Sequence, residues 1–245
     1  MTNKYMYFIA NWKMFGGLKS LNSLGKVANF FQNFRRNKNL KIIYCPPTTL
    51  INSMSKKLKK SKIEVGAQNC HESEVYGAHT GSINPRMLKD AGASYVIIGH
   101  SENRQRGEKN KLINQKIKTA IKSGLKIIFC IGETLSEKRK KKTKKILDEQ
   151  IRYGLNKIQN KNKIIIAYEP IWSIGSGLIP KPEDLFKTID FIKKKAKNYK
   201  VLYGGSVNPK NILKLRDIKN TDGYLIGGAS QDPKKFIDII KKTYN

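Results

Sequence analysis

Short, nearly continuous apolar runs recur eight times along this chain, and a stretch of helical periodicity follows most of them. That alternation restricts the available folds more than any other feature. The runs fall at residues 5–11, 41–45, 63–68, 95–99, 126–130, 163–168, 200–203 and 223–226. Unbroken apolar runs, rather than apolar–polar alternation, suit parallel strands covered on both faces. Between them, Leu112, Ile113, Ile117, Ala120 and Ile121 share one helical face. So do Leu147, Ile151, Leu155 and Ile158, and again Leu185, Ile189, Ile192 and Ala196. Asn84-Pro85, Asn208-Pro209 and Asp232-Pro233 each predict a helix start. The first residue can cap free amides, and proline suits the first turn because it lacks a donor. The units repeat at about 30 residues, the size of one βα unit. Eight such units predict an α/β chain closed as a (β/α)8 barrel, one domain over residues 1–245. An open doubly wound sheet is the rival. The glycine fingerprint expected after its first strand is absent.

Charge raises a second question. The 245 residues include 49 Lys and Arg against 18 Asp and Glu, a formal net charge of +31. Such a balance can serve nucleic acid, an anionic membrane surface or an acidic substrate. Here the lysines crowd helix-like stretches at 56–60, 138–145 and 193–197, and no aromatic interleaves the densest run as a stacking platform. The expectation is a solvated lysine coat, with no specific nucleic-acid partner and no membrane. The three cysteines, Cys45, Cys70 and Cys130, are odd in number and far apart, which predicts reduced thiols. The three histidines, His71, His79 and His100, lack zinc-ligand spacing, so no metal is expected. The apolar run at 5–10 is too short for a signal-peptide core, and no segment approaches a membrane span. A cytoplasmic location is expected.

In a barrel of this kind, chemistry sits where the strands end. The unusual residues of this sequence fall there. The first run ends in Asn11-Trp12-Lys13, the fourth in Gly99-His100-Ser101-Glu102, and the sixth in Tyr168-Glu169-Pro170. The seventh ends in Gly204-Gly205-Ser206 and the eighth in Gly227-Gly228. Each alone has a bland reading: a surface lysine, a satisfied histidine, a loop carboxylate, two plain turns. Together they bring a cation, an imidazole, a carboxylate and two glycine loops to one barrel mouth. That set suits proton transfer beside a carbonyl in a phosphorylated substrate.

The motifs that carry these residues resemble those of the triosephosphate isomerases. They are Asn11-Trp12-Lys13-Met14, Gly99-His100-Ser101-Glu102, the run from Ala167-Tyr168-Glu169-Pro170 to Gly175-Ser176, Tyr203-Gly204-Gly205-Ser206-Val207 and Gly227-Gly228-Ala229-Ser230. The resemblance extends over the whole chain. It implies interconversion of dihydroxyacetone phosphate and D-glyceraldehyde 3-phosphate without a cofactor. It makes Glu169 the base and His100, as neutral imidazole, the group that polarises the carbonyl. A helix N-terminus beside His100 would disfavour its cation. Lys13 supplies positive charge and Asn11 a hydrogen bond. Glu102 pairs with Lys13 or transfers protons itself. The substrate is bound by Asn11, Lys13, Gly175, Ser206, Gly227 and Gly228, with its phosphate on the backbone amides of the last four. Residues 170–180 become a closing lid with Ile174 as apolar tip. The glycine-punctuated segment 69–82 becomes the arm of a homodimer, with Thr80 beside Asn11 and Lys13 of the partner subunit.

Departures fall outside the chemistry. Asn103 stands where the family usually has arginine, and Lys193 where an arginine commonly pairs with Asp222. Lysine cannot reproduce a bidentate fork, so a weaker pair is expected. Ser82 replaces a usual glutamate, and the second lid hinge reads Leu178-Ile179-Pro180. Two rivals stand beside this reading. One is a barrel enzyme acting on a different phosphosugar, which would share the glycine loops but not the run around Glu169. The other is a basic nucleic-acid- or surface-binding barrel, whose binding would fade as salt rises.

Overall fold

Eight strands form where the apolar runs predict them, because each run can be buried on both sides of one sheet. The computed structural model describes residues 6–34, 39–197 and 199–244. The strands are β1 (Met6–Asn11), β2 (Leu40–Cys45), β3 (Glu64–Ala67), β4 (Tyr95–Ile98), β5 (Lys126–Ile131), β6 (Ile164–Tyr168), β7 (Lys200–Tyr203) and β8 (Gly223–Ile226). Their ends differ from the sequence reading by a residue or so, and Tyr5, the first residue of the first predicted run, lies outside the described residues. All neighbours pair in parallel in sequence order, and β8 returns to β1 with Tyr7 opposite Gly223 and Ala10 opposite Ile226. The barrel is closed. The open-sheet alternative is excluded.

Successive side chains on each strand point to opposite faces. One set, including Ile9, Ile43, Ile97, Ile128, Ile165, Leu202 and Leu225, fills the barrel interior. The other, including Phe8, Ile42, Val96, Phe129, Ile166 and Tyr224, packs outward beneath the helices. Two apolar layers back to back account for the continuous runs.

The outer shell holds α1 (Leu24–Asn33), α2 (Ile51–Leu58), α3 (Pro85–Asp90), α4 (Ser101–Gln105), α5 (Asn110–Lys122), α6 (Leu135–Arg139), α7 (Thr143–Gly154), α8 (Pro182–Lys195), α9 (Ile212–Arg216) and α10 (Pro233–Tyr244). Two short helices, α4 and α6, add to the one-helix-per-unit plan. Two of the three predicted starts form as expected. The Asn84 side chain accepts from the Met87 amide at 2.9 Å, and Asp232 accepts from the Lys234 amide at 2.8 Å. The third does not. Asn208 accepts from the amides of Lys210 and Asn211 within a turn, and α9 begins three residues later than expected, at Ile212. The apolar face predicted over 147–158 also runs past its helix, which stops at Gly154. Leu155 and Ile158 still pack against the core from beyond the helix end.

The lysine runs lie on this outer shell. Lys56, Lys57, Lys59 and Lys60 are exposed, as are Lys140–Lys142, Lys144 and Lys145. Lys193 does form the pair with Asp222, Nζ to Oδ2 at 2.7 Å. Asp222 is buried, and the same oxygen accepts from the Val201 amide at 2.9 Å, tying α8 to the strands. All three cysteines are free thiols and buried. No helix of the described residues is long and apolar enough to cross a membrane.

Candidate active site

The strand ends converge on a cleft of about 250 Å³ lined by Asn11, Lys13, His100, Glu169, Gly175, Ser206, Gly227 and Gly228. Eight of the nine residues singled out from sequence therefore meet in one place. The ninth, Glu102, faces a larger neighbouring cavity of about 510 Å³, which lacks Glu169 and the glycine loops. The larger space lies beside the chemistry, not on it.

Lys13 leaves β1 with φ of 54°, a left-handed conformation unusual for a residue other than glycine. Three contacts hold it there. Its amide donates to the Asn11 side chain at 3.0 Å, and Gln68 donates to its carbonyl at 2.8 Å. Its ammonium pairs with Glu102 at 2.6 Å. Such conformations cost of order 1–3 kcal/mol and persist only where the surroundings over-determine them. Glu102 thus reaches the cleft through Lys13. Burial pushes its carboxyl up, but the Lys13 hydrogen bond and nearby positive charge outweigh that and hold it below the usual carboxylate range.

His100 caps α4, and its Nδ1 accepts from the Glu102 amide at 3.2 Å. With Nδ1 as the accepting nitrogen in this contact, Nε2 is the ring nitrogen left to face the cleft. Nε2 lies 3.5 Å from Glu169 Oε1. Arg104, on the same short helix, fixes the rim beneath. Its guanidinium donates to the carbonyls of Gly99 at 2.8 Å and Cys130 at 3.2 Å, joining the ends of β4 and β5.

Glu169 is 2% exposed. Its amide donates to the Ile131 carbonyl at 2.8 Å, which anchors the residue to the end of β5. Oε1 accepts from the Cys130 thiol at 3.3 Å, while Oε2 is buried and has no hydrogen-bond partner among the described residues. That leaves Oε2 as the oxygen with no donor already committed to it. Gly204 makes room for it: a Cβ there would stand 2.8 Å from Glu169 Cγ.

Sequence reading missed Glu133. It follows β5, is 1% exposed, and receives hydrogen bonds from Tyr168 at 3.1 Å and from Trp172 Nε1 at 3.1 Å. Its carbonyl also accepts from the Ile171 amide at 3.0 Å. Lys138 Nζ stands 3.6 Å from the Trp172 ring centroid. Burial pushes the Glu133 carboxyl up, opposed by the Trp172 and Tyr168 hydrogen bonds. This cluster grips the entry to segment 170–180. The signal was available, since Glu133 is a carboxylate at the end of an apolar strand, as Glu169 is. Beyond the grip, Gly175 and Gly177 are exposed with φ of 70° and 76°, conformations that favour glycine. No group of three His, Cys, Asp or Glu that could hold a metal ion occurs among the described residues.

A closed parallel barrel with a buried carboxylate, an imidazole and a lysine at its mouth is a (β/α)8-barrel enzyme of the acid–base class. Residues 6–243 match the triosephosphate isomerase family. The chain is 41% identical over 244 residues to the triosephosphate isomerase of Thermodesulfovibrio yellowstonii, covering 96% of this chain and 98% of that one. It is also 41% identical to that of Dictyoglomus thermophilum, with 95% and 97% covered. A crystal structure of triosephosphate isomerase from Bartonella henselae superposes with a TM-score of 0.89 at 34% identity, over 98% of this chain and 100% of that one. The chain belongs to the triosephosphate isomerase family.

Proposed function

We propose that this chain interconverts dihydroxyacetone phosphate and D-glyceraldehyde 3-phosphate in glycolysis and gluconeogenesis, by proton transfer through an enediolate and without cofactor or metal. The observation that carries the reading is the pairing of the buried Glu169 carboxylate with His100 Nε2 at 3.5 Å in a cleft that also holds Lys13 and the glycine loops. Glu169 takes the proton from the carbon beside the carbonyl through its unpartnered oxygen. His100 donates from Nε2 to the carbonyl oxygen and carries protons between the two oxygens. Lys13 and Asn11 offset the developing negative charge. Glu102 positions Lys13. The phosphate rests near Gly175, Ser206, Gly227 and Gly228, where small residues let backbone amides approach. A coupled assay that follows dihydroxyacetone phosphate formation by the purified protein tests this directly. No turnover above background would reject it.

The position of the base has its own test. Gly204→Ala places a methyl against Glu169 Cγ. Misplacing a catalytic group by about 1 Å can lower rate by about 10²-fold. Steady-state kinetics should show kcat falling by up to about that factor, and an unchanged kcat would mean that Gly204 does not set the base.

We further infer a homodimer. Residues 79–82 form a tight turn, with the Ser82 amide donating to the His79 carbonyl at 2.9 Å and Gly81 at φ of 81°. Thr80 is exposed at its tip, with Val75 at 64% and Tyr76 at 58% on the same arm. After Lys13, Met14 is 91% exposed at the larger cavity and Phe15 58% exposed at the smaller cleft. Arm and cavity suit one another on two copies of the chain. Sedimentation at micromolar concentration is expected to give a dimer; a fully active monomer would overturn the requirement. The lysine coat lies on the outer helices, which favours a solvated surface over a nucleic-acid or membrane site. The buried free thiols suit a reducing cytoplasm, and one barrel domain accounts for the chain.

A further inference from the structure

Two similar triplets stand far apart in the sequence, Asn208-Pro209-Lys210 and Asp232-Pro233-Lys234, and the fold brings them to one groove. The groove has a volume of about 750 Å³, and Pro209, Lys210, Ala229, Lys234 and Lys235 are among its walls. Asn208, Gly228 and Ala229 line both this groove and the catalytic cleft, so the two spaces share a wall. Nothing in the chemistry above uses the groove. Its three lysines stand on fixed backbone. The Lys210 amide donates to Asn208 Oδ1 at 2.8 Å, and those of Lys234 and Lys235 donate to Asp232 Oδ1 at 2.8 and 3.4 Å. Lys242 Nζ donates to the Pro209 carbonyl at 3.1 Å and clamps α10 to the turn at 208–211. Asp238, the one carboxylate on the groove wall, pairs with Lys242 at 2.9 Å and not with the three lysines. All three are exposed. A surface lysine is ordinary in this chain. Three around one concavity differ, because low-dielectric walls focus their field.

We propose that this groove binds a nucleoside triphosphate, and that its occupation weakens binding of a phosphorylated ligand in the catalytic cleft. Three ammonium groups match the charge of a triphosphate chain. The volume is larger than that chain needs, and Pro209 and Ala229 supply apolar wall for the nucleoside. Binding makes and breaks no covalent bond. The bound charge lies behind the loop of Gly228, where it opposes a second anion on the other side of the same wall. By linkage the effect is mutual: an anion in the cleft weakens the triphosphate by the same factor. The coupling rests on the isomerase reading above, whereas binding in the groove does not.

The test is calorimetric titration of the purified chain with metal-free ATP, inorganic tripolyphosphate and orthophosphate at about 0.1 M salt, where distant exposed charges are screened. ATP is expected to bind at one site per chain, more tightly than tripolyphosphate and far more tightly than orthophosphate. Tripolyphosphate binding as well as ATP would overturn the nucleoside part. The variant with Lys210→Gln, Lys234→Gln and Lys235→Gln together should weaken ATP about 10-fold, the size of three modest ion pairs, and keep wild-type turnover. A control with Lys140→Gln, Lys141→Gln and Lys142→Gln removes equal charge from an exposed run and should leave ATP affinity near wild type. Equal losses in both variants would reduce the binding to net charge and overturn the site, as would the absence of saturable ATP binding at millimolar concentration. Glycerol 3-phosphate, which lacks a carbonyl and cannot isomerise, reports the cleft. ATP should raise its dissociation constant about 5-fold and then plateau. A rise without limit would put ATP in the cleft itself, and no rise at all would remove the coupling. An inactive wild-type protein would overturn the isomerase reading alone, since the ATP titrations still decide the groove.

Discussion

Glu169→Gln is expected to lower kcat by roughly 10²–10⁴-fold while the barrel stays folded. Glutamine keeps the size of the side chain and can still accept from Cys130, so the surroundings of Oε1 need not change. What it loses is the basic oxygen. Oε2 has no hydrogen-bond partner among the described residues and almost no water, since the residue is 2% exposed. An amide in the same place cannot take a proton. Glu169→Asp should also be slow, because shortening withdraws the carboxylate from a position set by the Ile131 carbonyl and by the space at Gly204. Circular dichroism with steady-state kinetics on both variants decides the matter. A well-folded Glu169→Gln protein with near-wild-type turnover would remove Glu169 from the role of base.

Deleting 174–177 is expected to slow isomerisation strongly and to divert the intermediate to methylglyoxal and free phosphate. An enediolate left open to water readily expels its phosphate, so a closed site is a chemical requirement. The segment between β6 and α8 is longer than the 2–6 residues usual for such connections. It has a held end and a free one. Glu133 receives Trp172 at 3.1 Å at the entry, whereas Gly175, Ser176, Gly177 and Leu178 are exposed. Ile174 already lines the cleft and is the apolar group able to cover it. The measurement is the ratio of released phosphate to isomer for the deletion variant and the wild type. An unchanged ratio in a folded variant would show that this segment does not shield the intermediate.

The barrel was legible because its strands are buried on both faces. A run such as Ile164–Tyr168 carries its assignment in composition alone. Capping was less legible. Asn84-Pro85 and Asn208-Pro209 look alike in sequence, yet Asn208 closes a turn on Lys210 and Asn211, and the helix waits for Ile212. The end of α7 was hidden for a different reason. Its apolar face continues through Leu155 and Ile158, but Gly154 packs so closely on Phe129 that a Cβ would collide, a tertiary fact that no periodicity reports. At the site, residues on strand ends were readable because a charge after an apolar run is out of place. That logic found Glu169 and, applied to β5, would have found Glu133. The groove behind Gly228 could not be found in this way. A surface lysine is ordinary in this chain, and only the fold brings Lys210 to Lys234 and Lys235.

Lys13 sets folding against activity. Its φ of 54° would be free of penalty for glycine, so a lysine here costs about 1–3 kcal/mol of the roughly 5–15 kcal/mol that keeps a protein of this kind folded, and on the proposed mechanism that is the cost of the site's cation. The most durable version of this chain and the most active one therefore differ at residue 13. Selection for heat resistance alone, with no demand for turnover, would drift toward glycine there and leave an intact barrel without its charge. A screen of stabilised variants should accordingly be read with activity beside it, because at this position a higher melting temperature can signal an enzyme being dismantled.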